Sequence, residues 1–153
     1  MRALAIFALA TLVQLGPTDV AHSKVLAVEP SARAIFAKHD RNGRFKWTKI
    51  KKLGDVHVGR TTYSIYNLSF VNYGAASLHG MQQVSIIRDG RIFVGSYLDV
   101  AEPAVAIRGR NVLMGIQHIN EETFPRTSFT IGKSGPPQRV LLTGAFHTLE
   151  NSI

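Results

Sequence analysis

The chain has 153 residues, a formal net charge of +8 and no cysteine. The missing thiols exclude disulfides, thiolate nucleophiles, cysteine-ligated zinc and lipid attachment at an N-terminal cysteine. The positive balance either attracts polyanions, such as anionic lipid head groups, acidic polysaccharide or nucleic acid, or serves as a solvated, solubilising face.

The first element in chain order is a targeting segment. Arg2 and the free amine form a short positive region, and Ala3–Leu15 carries no charge. Gly16-Pro17 then breaks the helix, and Ala21-His22-Ser23 places small residues where a signal peptidase needs them. This three-part pattern predicts a signal peptide over residues 1–23 and hence export, to the periplasm or outside the cell. The apolar run falls short of the ~20 residues that a membrane-spanning helix requires. Residues 24–153 are expected to form a single β-rich domain, with no transmembrane segment in the mature chain. A domain of this size buries enough surface to stand without disulfides.

Lys24–Pro30 reads as a lead-in. Ser31–His39 is predicted to be a short helix, with Ser31 as N-cap and Asn42-Gly43 as its stop. So short a helix needs Ile35 and Phe36 to pack it against the rest of the fold. Phe36–Phe45 resembles the opening of an EF-hand loop. Gly43, however, follows Asp40 by three residues instead of five, and Lys51 stands where the bidentate glutamate belongs, so calcium lacks its ligands. Arg44–Thr48 alternates, with Phe45 and Trp47 on one side and Arg44 and Lys46 on the other, as a half-buried strand does. Lys49, Lys51 and Lys52 extend the charge to an expected turn at Gly54-Asp55. Between Arg33 and Arg60 there are nine Lys or Arg against two Asp. Arg44, Lys46, Lys49, Lys51 and Lys52 are therefore candidate ligands for an anionic polymer or lipid head group.

Val56–Gly59 and Thr61–Asn72 read as strands. In the second, Tyr66, Leu68 and Phe70 share one face, and Ile65, Asn67 and Ser69 share the other. Asn67-Leu-Ser69 also matches the short N-glycosylation pattern. After the loop Asn72–Gly80 comes the clearest signal in the chain, Met81–Leu98, in which two strand-like runs flank Asp89-Gly90. That dipeptide suits the positive-φ positions of a type I′ turn. A two-residue loop places Arg88 opposite Arg91, Ile87 opposite Ile92 and Ile86 opposite Phe93. Apolar residues on both faces put this hairpin in the middle of a sheet. The facing arginines repel one another, which adds Arg88 and Arg91 to the candidate anion-binding residues. Ala101–Pro103 marks a connection, and Ala104–Ile107 with Asn111–Ile116 a second hairpin. Gln117–Pro125 reads as irregular, and Thr127–Ile131 with Gln138–Thr148 as a third pair. The whole is mainly β: an antiparallel meander, closed as a small barrel or folded as a sandwich, with one short N-terminal helix after the signal peptide.

Chemistry is harder to find. His39, His57, His79, His118 and His147 show no metal-ligand spacing, so a site would need them to meet in space. Ser77-Leu-His79-Gly80 is similar to the His-Gly of L,D-transpeptidases, but their catalytic cysteine is missing. Gly-x-Ser-x-Gly and phosphate-binding glycine loops are absent. Asp99 and Glu102 are the nearest approach to a carboxylate pair after the hairpin, and they fall in a connection. Tyr63, Tyr66, Tyr73, Tyr97, Phe70 and Phe93 either line a pocket or fill a core. No catalytic residue, metal ligand or cofactor is assigned. The leading expectation is an exported, non-enzymatic β domain that binds an anionic or envelope-associated partner through a basic surface. The alternatives are a barrel carrying an apolar ligand and a histidine-dependent hydrolase or metal enzyme.

Overall fold

The computed structural model describes residues 30–41, 43, 48–71, 80–115, 117–119, 122–124, 127–142, 144–151 and 153. The expected signal peptide, the alternating run 44–47 and the loop 72–79 lie outside them. No helix among the described residues is long and apolar enough to cross a membrane.

Helix α1 spans Pro30–His39. It begins one residue before the expected N-cap, because proline suits the first helical position: its φ is preset and it has no N–H to leave unpaired. Ser31 therefore lies inside the first turn. Ala32 and Phe36, four residues apart on one face, are buried. At the other end the Ile153 N–H donates to the His39 carbonyl (3.2 Å), and the Ile153 side chain is buried in the same cluster.

Strands β1 (Thr48–Val58), β2 (Thr61–Val71), β3 (Gly80–Arg88) and β4 (Ile92–Tyr97) form an antiparallel meander. The expected turn at Gly54-Asp55 is a bulge within one long strand. Lys52 pairs with Tyr66 and Gly54 with Ile65, which leaves Leu53 as the extra residue. Gly54 has φ +157° there, and the turn falls later, at Gly59 with φ +61°. Asp89 and Gly90 both have positive φ, as a type I′ turn requires, and the Arg91 N–H closes it on the Arg88 carbonyl at 3.2 Å. Arg91 stays in the loop, however, so Arg88 pairs with Ile92 and Ile87 with Phe93, while Ile86 pairs with Gly95 across a bulge. The expected register is thus shifted, and the two arginines do not face each other. The extra residue, Val94, lies on β4, and Ile86 and Ile87, adjacent on β3, face opposite sides as expected.

The chain then leaves this sheet. Strands β5 (Ala104–Arg108), β6 (Asn111–Met114) and β9 (Thr127–Thr130) make a separate three-stranded sheet, and β7 (Gln117–Ile119) with β8 (Glu122–Phe124) a small hairpin where irregular chain was expected. Finally β10 (Arg139–Leu142) and β11 (Ala145–Glu150) return to the first sheet, whose order is β1-β2-β3-β4-β11-β10. The third expected pair is therefore split. Thr127–Thr130 pairs with β6, and the segment around residues 138–148 folds back on itself. This excursion is why the sheet does not close into a barrel: β11 occupies the free side of β4, and β1 and β10 end as opposite edges.

Both faces of the long sheet are covered. On one, Val56, Tyr63, Ile65, Val84, Ile86 and Tyr97 pack with Ala104, Val112, Met114 and Phe129 of the smaller sheet. On the other, Tyr66, Leu68, Phe70, Ile87 and Phe93 pack with Ala32 and Phe36 of α1. The aromatic residues proposed to line one pocket are thus divided between two cores, with Tyr73 outside the described residues. The central place of the β3–β4 hairpin follows the sequence expectation. Ser85 and Ser96, buried on the α1 side, bond to each other (2.6 Å), and Gln83 Nε2 donates to Ser85 Oγ at 3.2 Å.

Tyr97 gives this core a pH limit. Its hydroxyl donates to the Pro137 carbonyl at 2.6 Å, and burial pushes its phenol well above the ordinary range. A raised folded-state value means that its stabilisation is intact below about pH 10, the unfolded value, and is lost as pH rises further. Thermal midpoints of the wild type should therefore fall above about pH 10, and fall less steeply in Tyr97→Phe. Parallel curves for the two proteins would show that Tyr97 does not set the limit.

Candidate functional site

The site is built by strand alternation. On β1, Lys49 and Lys51 point to the same face, with the partly buried Ile50 packing into the α1-side cluster between them. Across the sheet Lys49 pairs with Ser69, and Ser69 with Gln82, so one polar row crosses β1, β2 and β3. Lys51 pairs with Asn67 in the next row. This face continues the one carrying Ile65 and Tyr63, but its far end is polar rather than apolar.

The opening of β5 lies across that polar end. Asn67 holds it there through both ends of its amide: Nδ2 donates to the Ala104 carbonyl at 2.6 Å, and Oδ1 accepts from the Ala104 N–H at 3.0 Å. The Val100 N–H donates to the Gln82 carbonyl at 2.9 Å, fixing the chain just before. Between this lip and the sheet is a cleft of about 370 Å³, lined by Lys49, Lys51, Asn67, Ser69, Gln82, Pro103, Ala104 and Val105. None of these is acidic. Its volume falls in the ~300–1,000 Å³ range of small-molecule sites, and its polar groups converge from three elements. Gln82 Oε1 is buried and has no hydrogen-bond partner. Beside the cleft, Glu102 sets its carboxylate against Gly115, where no side chain intervenes.

The expected basic surface is divided by the fold. Lys49 is exposed and Lys51 half-buried, and both line the cleft. Lys52 points to the opposite face, only 8% exposed, with Nζ 3.2 Å from Asp55 Oδ1. Ser64 Oγ donates to the same Asp55 oxygen at 2.6 Å. Lys52 is thus turned away from the cleft and paired with Asp55. Arg44 and Lys46 lie outside the described residues. Arg88 sits opposite Tyr63 and Arg91 is exposed in the turn. Tyr63 and Ser69 are six positions apart on β2, roughly 20 Å at strand rise, so the arginines do not join the lysines. Of the five expected residues that are described, Lys49 and Lys51 come together, and Asn67, Ser69 and Gln82 join them. Their signal in the sequence was the mixed face of Thr61–Asn72, where Asn67 and Ser69 follow Ile65.

None of the other described candidates lines this cleft. His39 ends α1 with its ring 4.4 Å from that of Phe93, His57 Nδ1 lies 3.1 Å from Thr62 Oγ1, and His147 Nδ1 bonds the Leu98 carbonyl at 2.9 Å. His79 and the side chain of His118 lie outside the described residues. Among the described residues no three of His, Asp and Glu stand close enough to share a metal ion. Lysines on β1 have a second physical role as well. It is an edge strand, and charge on an edge discourages pairing with another chain.

No family model, curated protein or solved structure matches the chain.

Proposed function

We propose that this protein is an exported β domain that binds an anionic partner through the cleft beside Lys49 and Lys51. The single observation behind this reading is the convergence of two lysines, an asparagine, a serine and a glutamine on one recess, with no carboxylate lining it among the described residues. Alternate strand residues have Cα atoms roughly 7 Å apart, so two long lysine side chains on one face can converge on one carboxylate or phosphate. Export rests on the leader pattern of residues 1–23, and it would bring the cleft to envelope polymers and lipid head groups. The role is binding, with Lys49, Lys51, Ser69 and Gln82 serving as ligands and Asn67 holding the lip.

A matched pair of variants separates a site from bulk charge. Lys49→Glu/Lys51→Glu and Arg88→Glu/Arg91→Glu each remove two positive charges and add two negative ones, taking the net charge from +8 to +4. Retention on immobilised heparin, followed as salt is raised, should collapse in the lysine variant and persist largely in the arginine variant. Equal losses in both would reduce the interaction to net charge, and retention unchanged in the lysine variant would remove the cleft from it.

A further inference from the structure

Resting on that reading of the cleft, we infer that its ligand is an acidic saccharide, a uronic-acid unit presenting a carboxylate to the lysines and a hydroxyl to Gln82. Two lysines explain attraction to any anion, whether phosphate, sulfate or carboxylate. Gln82 discriminates among them. Its side chain borders the cleft, but its amide oxygen is shielded and unpaired. A buried acceptor without a donor is costly, and native structures rarely keep one without a reason.

The terminal torsion of glutamine is broad, so a partial rotation of the amide would expose the oxygen to a donor in the cleft while β3 stays in place. A sulfate or phosphate diester offers only acceptors and leaves that oxygen unpaired. A uronate ring offers hydroxyl donors next to its carboxylate and satisfies both requirements at once. Ser69 adds a hydroxyl able to donate or accept, and Pro103 with Val105 supplies an apolar wall for the C–H face of a pyranose. The β5 lip, held by Asn67, gives this open recess one fixed wall.

The test uses an oligogalacturonate and a polyacrylate oligomer of equal carboxylate number, titrated calorimetrically into the full-length protein. Wild type should bind the oligogalacturonate at least about tenfold more tightly, the difference made by a hydrogen bond to an otherwise unpaired group. Gln82→Met should lose that preference while keeping polyacrylate affinity within about twofold. Lys49→Glu/Lys51→Glu should lose both. Equal wild-type affinity for the two polymers, or a preference that survives Gln82→Met, would overturn the saccharide assignment and leave the anion cleft standing. Undiminished binding of both polymers by the lysine variant would overturn the cleft reading as well. Should Gln82→Met fail to fold, wild type alone decides. Free galacturonate must displace the bound oligomer at lower concentration than propionate does, and equal displacement contradicts the assignment.

Discussion

Gly115→Ala is expected to lower the thermal unfolding midpoint by roughly 10–15 °C, the shift that about 3 kcal/mol produces in a domain of this size. Two costs add. Gly115 has φ +61°, a left-handed conformation that costs any other residue about 1 kcal/mol. The new methyl would also be driven into the Glu102 carboxylate, and overpacking of this kind costs about 1–3 kcal/mol. Because the Gly115 N–H donates to the Pro103 carbonyl at 3.0 Å, the displacement passes directly to the lip of the cleft. A double-mutant cycle with Glu102→Ala separates the two costs: the steric part should be recovered and the conformational part should remain. A drop of less than about 3 °C in Gly115→Ala would mean that the carboxylate moves aside freely.

Asn67→Ala is the second large effect. Asn67 is 8% exposed and Ala104 3% exposed, so the bonds between them are shielded from water. Truncation leaves both the N–H and the carbonyl of Ala104 without a partner, and each such buried group costs about 1–3 kcal/mol. A loss of roughly 2–4 kcal/mol is expected in urea unfolding. Hydrogen exchange at the Ala104 amide should accelerate more than that of Ile86, in the middle of β3, because the lip opens locally before the core does. Equal acceleration at the two amides would show that Asn67 supports the whole fold and not the lip in particular.

These two residues also mark where sequence reasoning reached and where it stopped. The alternation in Thr61–Asn72 was legible, since period two is a local property of a strand. It correctly placed Tyr66, Leu68 and Phe70 together and Ile65, Asn67 and Ser69 on the other face. The helix and the central position of the β3–β4 hairpin were legible for the same reason. What Asn67 touches was not, because Ala104 lies 37 positions away. That contact depends on the chain crossing over the sheet after β4, and no local pattern encodes the crossing. The barrel expectation failed at the same point: strand spacing alone does not reveal that β5, β6 and β9 form a separate sheet, or that β11 returns to β4.

The basic surface shows the same limit. Lys49 to Lys52 read in sequence as one patch, but unbroken alternation sends Lys52 to the face opposite Lys49 and Lys51, and the bulge at Leu53, one residue later, brings Asp55 onto the face of Lys52. There Asp55, three residues away, pairs with it. Arg88 and Arg91 are candidate anion ligands at the turn because of a repulsion that the observed register removes. A third loop residue at Arg91 and a bulge at Leu53 changed which side chains meet, and such insertions leave only a weak trace in sequence, such as the glycines at 54 and 95.

The most direct measurement of the cleft itself is a backbone amide NMR titration of the protein with oligogalacturonate. Saturable shifts confined to Lys49, Lys51, Asn67, Ser69, Gln82 and the Ala104–Val105 lip are the expected result. Shifts centred on the Arg88–Arg91 turn, or spread over all exposed lysines and arginines without saturation, would contradict it.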